Sequence, residues 1–202
     1  MLSIKSRMNL RLKRLGAGSV VTPADFLDIG SREAVDLVLH RLHEQGKLHR
    51  ISRGVYTVPR VDSELGVLAP SVDVVVAAMQ KRDQIKLQAS GAYAANQLGL
   101  SEQIPMRIVY YTDGPERRIT LGKQIVLLKH ATPRNMVTAG RISGQVIQAL
   151  RYLGKDHVDD TIVTKLRHRL TRAEKKHLAK DIRYAPGWVG AIMRRIAEDE
   201  ES

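Results

Sequence analysis

The sequence contains no cysteine, which excludes a disulfide, a thiolate zinc site and a cysteine nucleophile. Aromatic residues make up 4% of the 202 residues, so we expect cores built mainly from Leu, Ile, Val and Ala. No apolar run reaches the roughly 18 residues that a membrane-spanning helix needs. Basic residues also interrupt the apolar ones over positions 1–15. We therefore expect a cytoplasmic protein without a signal peptide and without a membrane partner.

Positive charge is what the sequence has in excess, with a formal net charge of +12 and a pI of about 10.2. The excess lies at the two ends: residues 1–60 carry a net charge of +6 and residues 163–202 carry +4, against +2 for residues 61–162. Lysine and arginine side chains that contact phosphates release condensed counterions. The charge therefore favours a nucleic-acid partner, although some basic proteins bind none.

Helical periodicity and turn signals divide the first sixty residues into three helices and a hairpin. A first helix is expected over residues 4–15, and a short second one begins at residues 22–23. Ser31 caps a third helix, whose apolar residues recur at helical spacing. Residues 52–54 are a turn signal between two short strands. This order predicts a winged helix-turn-helix domain over residues 1–60.

The pattern of the remaining residues predicts a linker at residues 60–70 and then an α+β domain over residues 68–202. We expect this domain to contain a small antiparallel sheet and C-terminal helices. Strands are expected at residues 85–88, 108–112, 118–121 and 124–129. A turn signal at residues 113–115 predicts a hairpin between the second and third of these strands. Helices are expected at residues 142–153, at 158–170, from 171 and from 186 onward, with a frayed acidic tail at 198–201.

The helix that begins at Ser31 has the pattern of a recognition helix, since one face is apolar and the other is polar. Arg32 lies in its first turn, where a guanidinium can donate to two acceptors on a guanine edge. Ser31 and the backbone donors at this helix start suit a phosphate. Arg41 lies two turns later and suits the DNA backbone. In the hairpin we expect contacts from Arg50, Arg53 and Gly54, the glycine allowing a tight reversal near a phosphate or groove.

Two questions about this segment stay open at the level of sequence. Glu33 and Asp36 share the polar face, and they can either accept from cytosine or pair with neighbouring arginines. A three-helix unit with a hairpin also occurs as a protein-interaction module, in which the arginines are simply solvated.

A second basic cluster lies in the C-terminal helices, where eight lysines and arginines stand between positions 165 and 183. One interpretation is a solvated helix face. The more specific interpretation is a second nucleic-acid contact, to flanking DNA or to RNA. It would be made by Arg169, Arg172, Lys175 and Lys176. An RNA-binding or toxin-binding protein that uses these helices is the alternative to a DNA-binding protein.

Motifs of catalysis are missing. The sequence has no phosphate-binding P-loop and no Gly-x-Gly-x-x-Gly after a strand. His157, Asp159 and Asp160 form the compact His/Asp cluster, and acidic residues are common at helix N-termini without any metal. We expect no catalytic residue, no metal site and no cofactor, and we expect that the protein is not an enzyme. A site assembled from distant segments is the third alternative.

Several short motifs together resemble one protein family. The N-terminal segments resemble the winged helix of AbiE-type antitoxins, which belong to bacterial type IV toxin–antitoxin systems; they are residues 31–35, 39–42, 46–48 and 51–56. Further segments look like the second domain of these antitoxins; they are residues 90–95, 98–100, 112–114 and 127–129. The resemblance covers residues 1–140, and the helices after about position 142 match less well.

The resemblance implies a bacterial transcriptional repressor that binds its own promoter. It also implies a cognate toxin of the nucleotidyltransferase type, which the second domain counters without forming a stable complex. Neither composition nor spacing indicates the antitoxin activity, and a regulator without a toxin partner would have the same sequence features.

Overall fold

The computed structural model describes residues 2–198 of the chain. It is a mixed α+β protein. Its contacts define two compact units: Met1–Ile85 with Ile119–Lys123, and Lys86–Arg118 with Gln124–Ser202. The acidic tail predicted at residues 198–201 lies, apart from Glu198, outside the described residues.

In the first unit the helices are α1 (Ile4–Leu15), α2 (Arg32–Glu44) and α3 (Val72–Asp83). The strands are β1 (Val20–Val21), β2 (His49–Ser52), β3 (Val55–Thr57), β4 (Arg60–Asp62) and β5 (Gly66–Leu68). The short second helix is a single 3-10 turn, Pro23–Phe26, which Thr22 and Asp25 close as a capping box. Both helices predicted to flank it are present within a residue or two of their expected ends.

Strands β1, β3 and β2 form one antiparallel sheet in that order. Ser52 pairs with Val55, so β2 and β3 are joined by a two-residue turn, Arg53-Gly54. Gly54 has φ +69°, a left-handed conformation that glycine adopts without steric cost. Strand β1 has two residues, which are too few to give a periodicity signal in the sequence.

The core of this unit packs α1, the 3-10 turn and α2 against the sheet. Its members are Met8, Leu12, Val21, Phe26, Ile29, Val35, Val38, Leu39, Leu42, Leu48 and Tyr56. Helix α2 supplies four of them at spacings of three and four, which is the helical repeat read from the sequence.

Residues 60–70 do not form the predicted linker. Strands β4 and β5 pair as an antiparallel hairpin, with Val61 opposite Val67. The Asp62 carboxylate accepts the backbone N–H groups of Glu64 and Leu65 at 2.9 and 3.0 Å, which closes the turn. The polar residues that suggested a linker are therefore turn residues.

Helix α3 begins at the Ser71 cap and buries Val72, Val75, Val76 and Met79. It contacts β1 and β3, so it belongs to the first unit. The predicted division at residues 60 and 68 differs from the observed one for this reason, since nothing in the periodicity of α3 shows which sheet it covers.

The second sheet has the strand order β6 (Leu87–Ser90), β7 (Arg107–Thr112), β9 (Gln124–His130) and β8 (Arg117–Leu121). Strand β6 is antiparallel to β7, whereas β7 and β9 are parallel. The predicted antiparallel sheet is thus a mixed one. The predicted hairpin is also wrong, because β7 and β8 are not neighbours: the signal at residues 113–115 marks a chain reversal but not the next strand's position.

The helices of the second unit are α4 (Gly91–Gln97), α5 (Pro133–Met136), α6 (Ile142–Leu153), α7 (Asp160–Arg169), α8 (Arg172–Asp181) and α9 (Gly187–Ala197). Thr171 and Glu174 form the predicted capping box at the start of α8. The buried Asp181 carboxylate accepts hydrogen bonds from Arg141 and Ser143, which ties the end of α8 to the start of α6. Among the described residues, every helix is too short or too polar to cross a lipid bilayer.

Candidate nucleic-acid interface

Helix α2 has the two faces expected of a recognition helix. Val35, Leu39 and Leu42 are fully buried on one side. Arg32 and Arg41 are exposed. The buried side fixes the helix to the core of the first unit, so its exposed side has a defined direction.

The N-terminus of α2 is occupied by the chain's own groups. Ser31 accepts the Ala34 backbone N–H at 3.4 Å. The Glu33 carboxylate accepts from its own backbone N–H and from the Ser31 hydroxyl, which together hold the pKa of Glu33 below its ordinary value. A phosphate at Ser31 would have to compete with this carboxylate, a competition that residue spacing does not reveal.

Arg32 pairs with Asp36 one turn along the helix, with 2.8 Å between Nε and Oδ2. Asp36 could either accept from cytosine or pair with a neighbouring arginine, and in the structure it forms the ion pair. Helix α2 as a whole carries two arginines against three carboxylates. A helix with this charge has no net attraction to a phosphate backbone, so a base edge suits Arg32 at its start better than a phosphate does.

The hairpin that follows α2 has the opposite charge. Residues 45–60 contain four basic residues and no acidic one. Lys47, Arg50 and Arg53 are all exposed. The sequence signal for Lys47 is its position in a segment free of acidic residues, rather than a motif.

Helix α1 is a second element without acidic residues, with five lysines and arginines. Two of the five are engaged: Arg7 donates to the Ile29 carbonyl, and Arg11 makes two hydrogen bonds to Asp28, at 2.7 and 2.6 Å. The Arg11 guanidinium keeps the pKa of Asp28 below its ordinary value. The three others are exposed, and no motif marks them in the sequence; they are Lys5, Lys13 and Arg14.

The turn of the β2–β3 hairpin packs against other residues of the first unit. A Cβ added to Gly54 would lie 3.4 Å from Arg82 Nη1 and 4.0 Å from Pro23 Cδ. Arg82 Nη1 also donates to the Arg53 carbonyl oxygen. The close approach that the sequence analysis assigned to a nucleic acid at Gly54 is thus taken by α3 on one side of the turn. The Arg53 side chain is exposed.

A second link joins α3 to the 3-10 turn. Lys81 Nζ lies 2.9 Å from Asp25 Oδ1. Burial raises the pKa of Asp25, but the hydrogen bonds from Lys81 and Thr22 outweigh this effect and leave the pKa below its ordinary value. The carboxylate is therefore charged at neutral pH, and it fixes α3 against the segment that precedes α2.

The predicted C-terminal contact residues differ in their surroundings. Arg169 Nη2 donates to the Gln97 carbonyl at the end of α4, at 2.7 Å. Lys175 is half-buried. Arg172 and Lys176 are exposed on α8 at a spacing of four residues, so they share one helix face. Arg169 is exposed as well, but its guanidinium is engaged by the Gln97 carbonyl.

The described part of the chain has no group of three or more His, Asp or Glu residues that could hold a metal ion. A cavity of about 330 Å³ in the second unit has polar side chains, which are Gln88, Gln97, Tyr110, Arg141, Gln145 and Glu174. Within it, Gln145 donates to Gln97, and Glu174 is held by its capping box. These contacts fix the side chains structurally, and they do not assemble a nucleophile with a base.

One family model matches the chain over residues 7–178, and its description is a family of unknown function, DUF6088. No curated protein matches the chain. Neither result names an antitoxin, so the resemblance to AbiE-type antitoxins remains a prediction.

Proposed function

The chain belongs to the DUF6088 family, and from its own residues we propose that it binds double-stranded DNA sequence-specifically and represses transcription. The binding element in this proposal is a winged helix-turn-helix formed by the first unit. Helix α2 is its recognition helix, and the β2–β3 hairpin is its wing.

The observation that carries the proposal is the distribution of charge over these elements. Helix α2 is mixed and slightly acidic in total, whereas α1 and residues 45–60 carry only basic charges. Specific DNA-binding proteins separate these tasks in the same way, since phosphate contacts set the register and base contacts supply the specificity. Two purely cationic segments beside a helix of mixed charge suit a phosphate backbone, whereas binding to another protein does not require them.

The residues take the following roles in the proposal. Arg32 donates to a guanine edge in the major groove, and Arg41 contacts the backbone of the same groove. Phosphates lie against the exposed cations of α1 and the hairpin, which are Lys5, Lys13, Arg14, Lys47, Arg50 and Arg53. Ser31 keeps a smaller role than the sequence suggested, because Glu33 already accepts from its hydroxyl.

The biological setting follows from the resemblance alone. We propose that the protein represses its own promoter in the bacterial cytoplasm, as an antitoxin whose second unit counters a nucleotidyltransferase-type toxin without a stable complex. A downstream gene for such a toxin would support this part, whereas DNA binding can be tested without it.

The test is a titration of the full chain with a duplex taken from upstream of its own gene, at several salt concentrations. If the six cations of α1 and the hairpin each neutralise a phosphate, the logarithm of the binding constant falls with the logarithm of salt with a slope of about −5. We expect the promoter duplex to bind at least ~10³-fold more tightly than a scrambled duplex of equal length.

The matched control replaces Lys155 with glutamine, which removes one exposed positive charge from the second unit. This variant should bind as the wild type does, while Arg50→Gln should lower the salt slope by about 1. Equal affinity for promoter and scrambled duplexes would contradict sequence-specific binding.

A second candidate function is RNA binding through α8, and one observation favours it. Arg172, Lys176 and Lys180 recur every four residues and are all exposed. They form a stripe of about 12 Å along the helix, which is the form of a backbone contact. Glu174 does not neutralise this stripe, because its carboxylate accepts hydrogen bonds from Thr171.

The variant Arg172→Gln/Lys176→Gln separates the two candidates. If α8 binds RNA, this variant should lose about tenfold or more in affinity for structured RNA, because about two phosphate contacts disappear, while its affinity for promoter DNA stays unchanged. Gel-shift titrations with both nucleic acids measure this. Unchanged RNA affinity in this variant would remove α8 from consideration as an RNA-binding helix.

A further inference from the structure

We propose that Arg82 is a positioning residue for DNA binding, which holds the turn of the β2–β3 hairpin so that Arg53 is presented to a phosphate. The inference rests on the proposed function. It adds α3 to the DNA-binding unit, as the helix whose Arg82 side chain binds the turn of the wing.

The Arg82 guanidinium is fixed on all three of its nitrogens. Nε and Nη2 each donate to the Asp83 carboxylate at 2.7 Å, and Nη1 donates to the Arg53 carbonyl oxygen. The side chain of Arg82 is only 14% exposed. Because its charge is paired and mostly covered, Arg82 is poorly placed to contact a phosphate directly and well placed to hold a neighbouring peptide group.

The turn lies in close contact with this guanidinium. A Cβ at position 54 would lie 3.4 Å from Arg82 Nη1, so the guanidinium lies directly against the turn, and glycine is needed there for its positive φ. The bonded carbonyl belongs to the residue whose side chain is exposed at the tip. Fixing the Arg53 peptide group therefore restricts the direction in which the Arg53 side chain leaves the backbone.

Helix α3 is a firm support for this contact. Val72, Val75 and Met79 are almost completely buried, with 4%, 0% and 0% of their surfaces exposed. The ion pair between Lys81 and Asp25 joins the same turn of α3 to the segment ahead of α2. Helix α3 thus contacts both the hairpin turn and the 3-10 turn that precedes α2.

The first arm of the experiment uses the free protein. In Arg82→Gln, we expect amide hydrogen exchange at Gly54 and Val55 to become about tenfold faster, since the turn loses a charge-assisted hydrogen bond. The control is Lys86→Gln, which removes an exposed positive charge just beyond the end of α3 and leaves the Arg82 contacts in place. Unchanged exchange in Arg82→Gln would overturn the proposed support of the turn.

The second arm is a double-mutant cycle on promoter DNA with Arg53→Ala. We expect Arg82→Gln to weaken binding about tenfold, Arg82→Lys to recover part of the loss, and the double variant to bind no more weakly than Arg53→Ala alone. Equal losses from Arg82→Gln with and without Arg53 would overturn the positioning role. A wild-type protein that does not bind the promoter would instead overturn the proposed function, and the exchange arm would still decide whether Arg82 holds the turn.

Discussion

Replacing Arg32 with alanine is expected to weaken binding to the promoter duplex by about 1–3 kcal/mol and to relax the base preference at one position of the site. Arg32 lies in the first turn of α2, which is the part of a recognition helix that meets base edges. The loss is large because a guanidinium that donates twice to guanine distinguishes it from every other base.

The ion pair between Arg32 and Asp36 determines which donors of the guanidinium remain for a base. Asp36 engages Nε of Arg32, so Nη1 and Nη2 carry the donors that remain for a base. The carboxylate thereby orients the guanidinium in advance, which lowers the entropy lost on binding. Asp36→Asn should weaken binding less than Arg32→Ala does, because it loosens the arginine without removing it.

Arg32→Lys is the matched control, since lysine keeps the charge and loses the planar pair of donors. It should retain the affinity for scrambled DNA and lose the discrimination between bases. Fluorescence anisotropy with single-base variants of the site measures both quantities. If Arg32→Ala keeps the affinity and the footprint of the wild type, Arg32 does not contact the base and α2 is not the recognition helix in the sense proposed.

Replacing Phe26 with alanine is expected to destabilise the first unit by about 3–5 kcal/mol. Phe26 ends the 3-10 turn and is fully buried in the core that α1 and α2 share. The Arg11 guanidinium also lies 5.8 Å from the centre of its ring.

Leu27 provides the control at the next position along the chain. Its side chain is 49% exposed, so Leu27→Ala should change the free energy of unfolding by no more than about 0.5–1 kcal/mol. Urea unfolding followed by circular dichroism measures both variants. The fluorescence of Trp188, which lies in the second unit, serves as a separate readout. Similar unfolding midpoints for the two variants would show that the 3-10 turn does not anchor this core.

The elements that the sequence predicted well are those with local causes. The Ser31 cap and the buried stripe of α2 are set by residues three and four positions apart. The turn between β2 and β3 needs a residue with positive φ, and Gly54 supplies it. The capping box of Thr171 and Glu174 is likewise complete within four residues. Each of these signals acts over one or two turns of chain, and it can be read without knowing the rest of the fold.

The candidate interface was predictable only in part. Arg32, Arg41, Arg50 and Arg53 are exposed as expected, because helical and hairpin patterns show which side chains point away from the core. The position of the Glu33 carboxylate beside Ser31 was not predictable, because it depends on side-chain conformation. That conformation has no signature in residue spacing.

The sequence by itself determined the local elements, the cationic ends of the chain and the polar face of α2, because all of these depend on neighbours along the chain. Only the tertiary structure decided that α3 belongs with the first unit and that β7 and β9 are parallel partners. It also placed the Arg82 guanidinium beneath the turn at Arg53. These features join residues far apart in sequence, and their choice depends on which buried surfaces fit together.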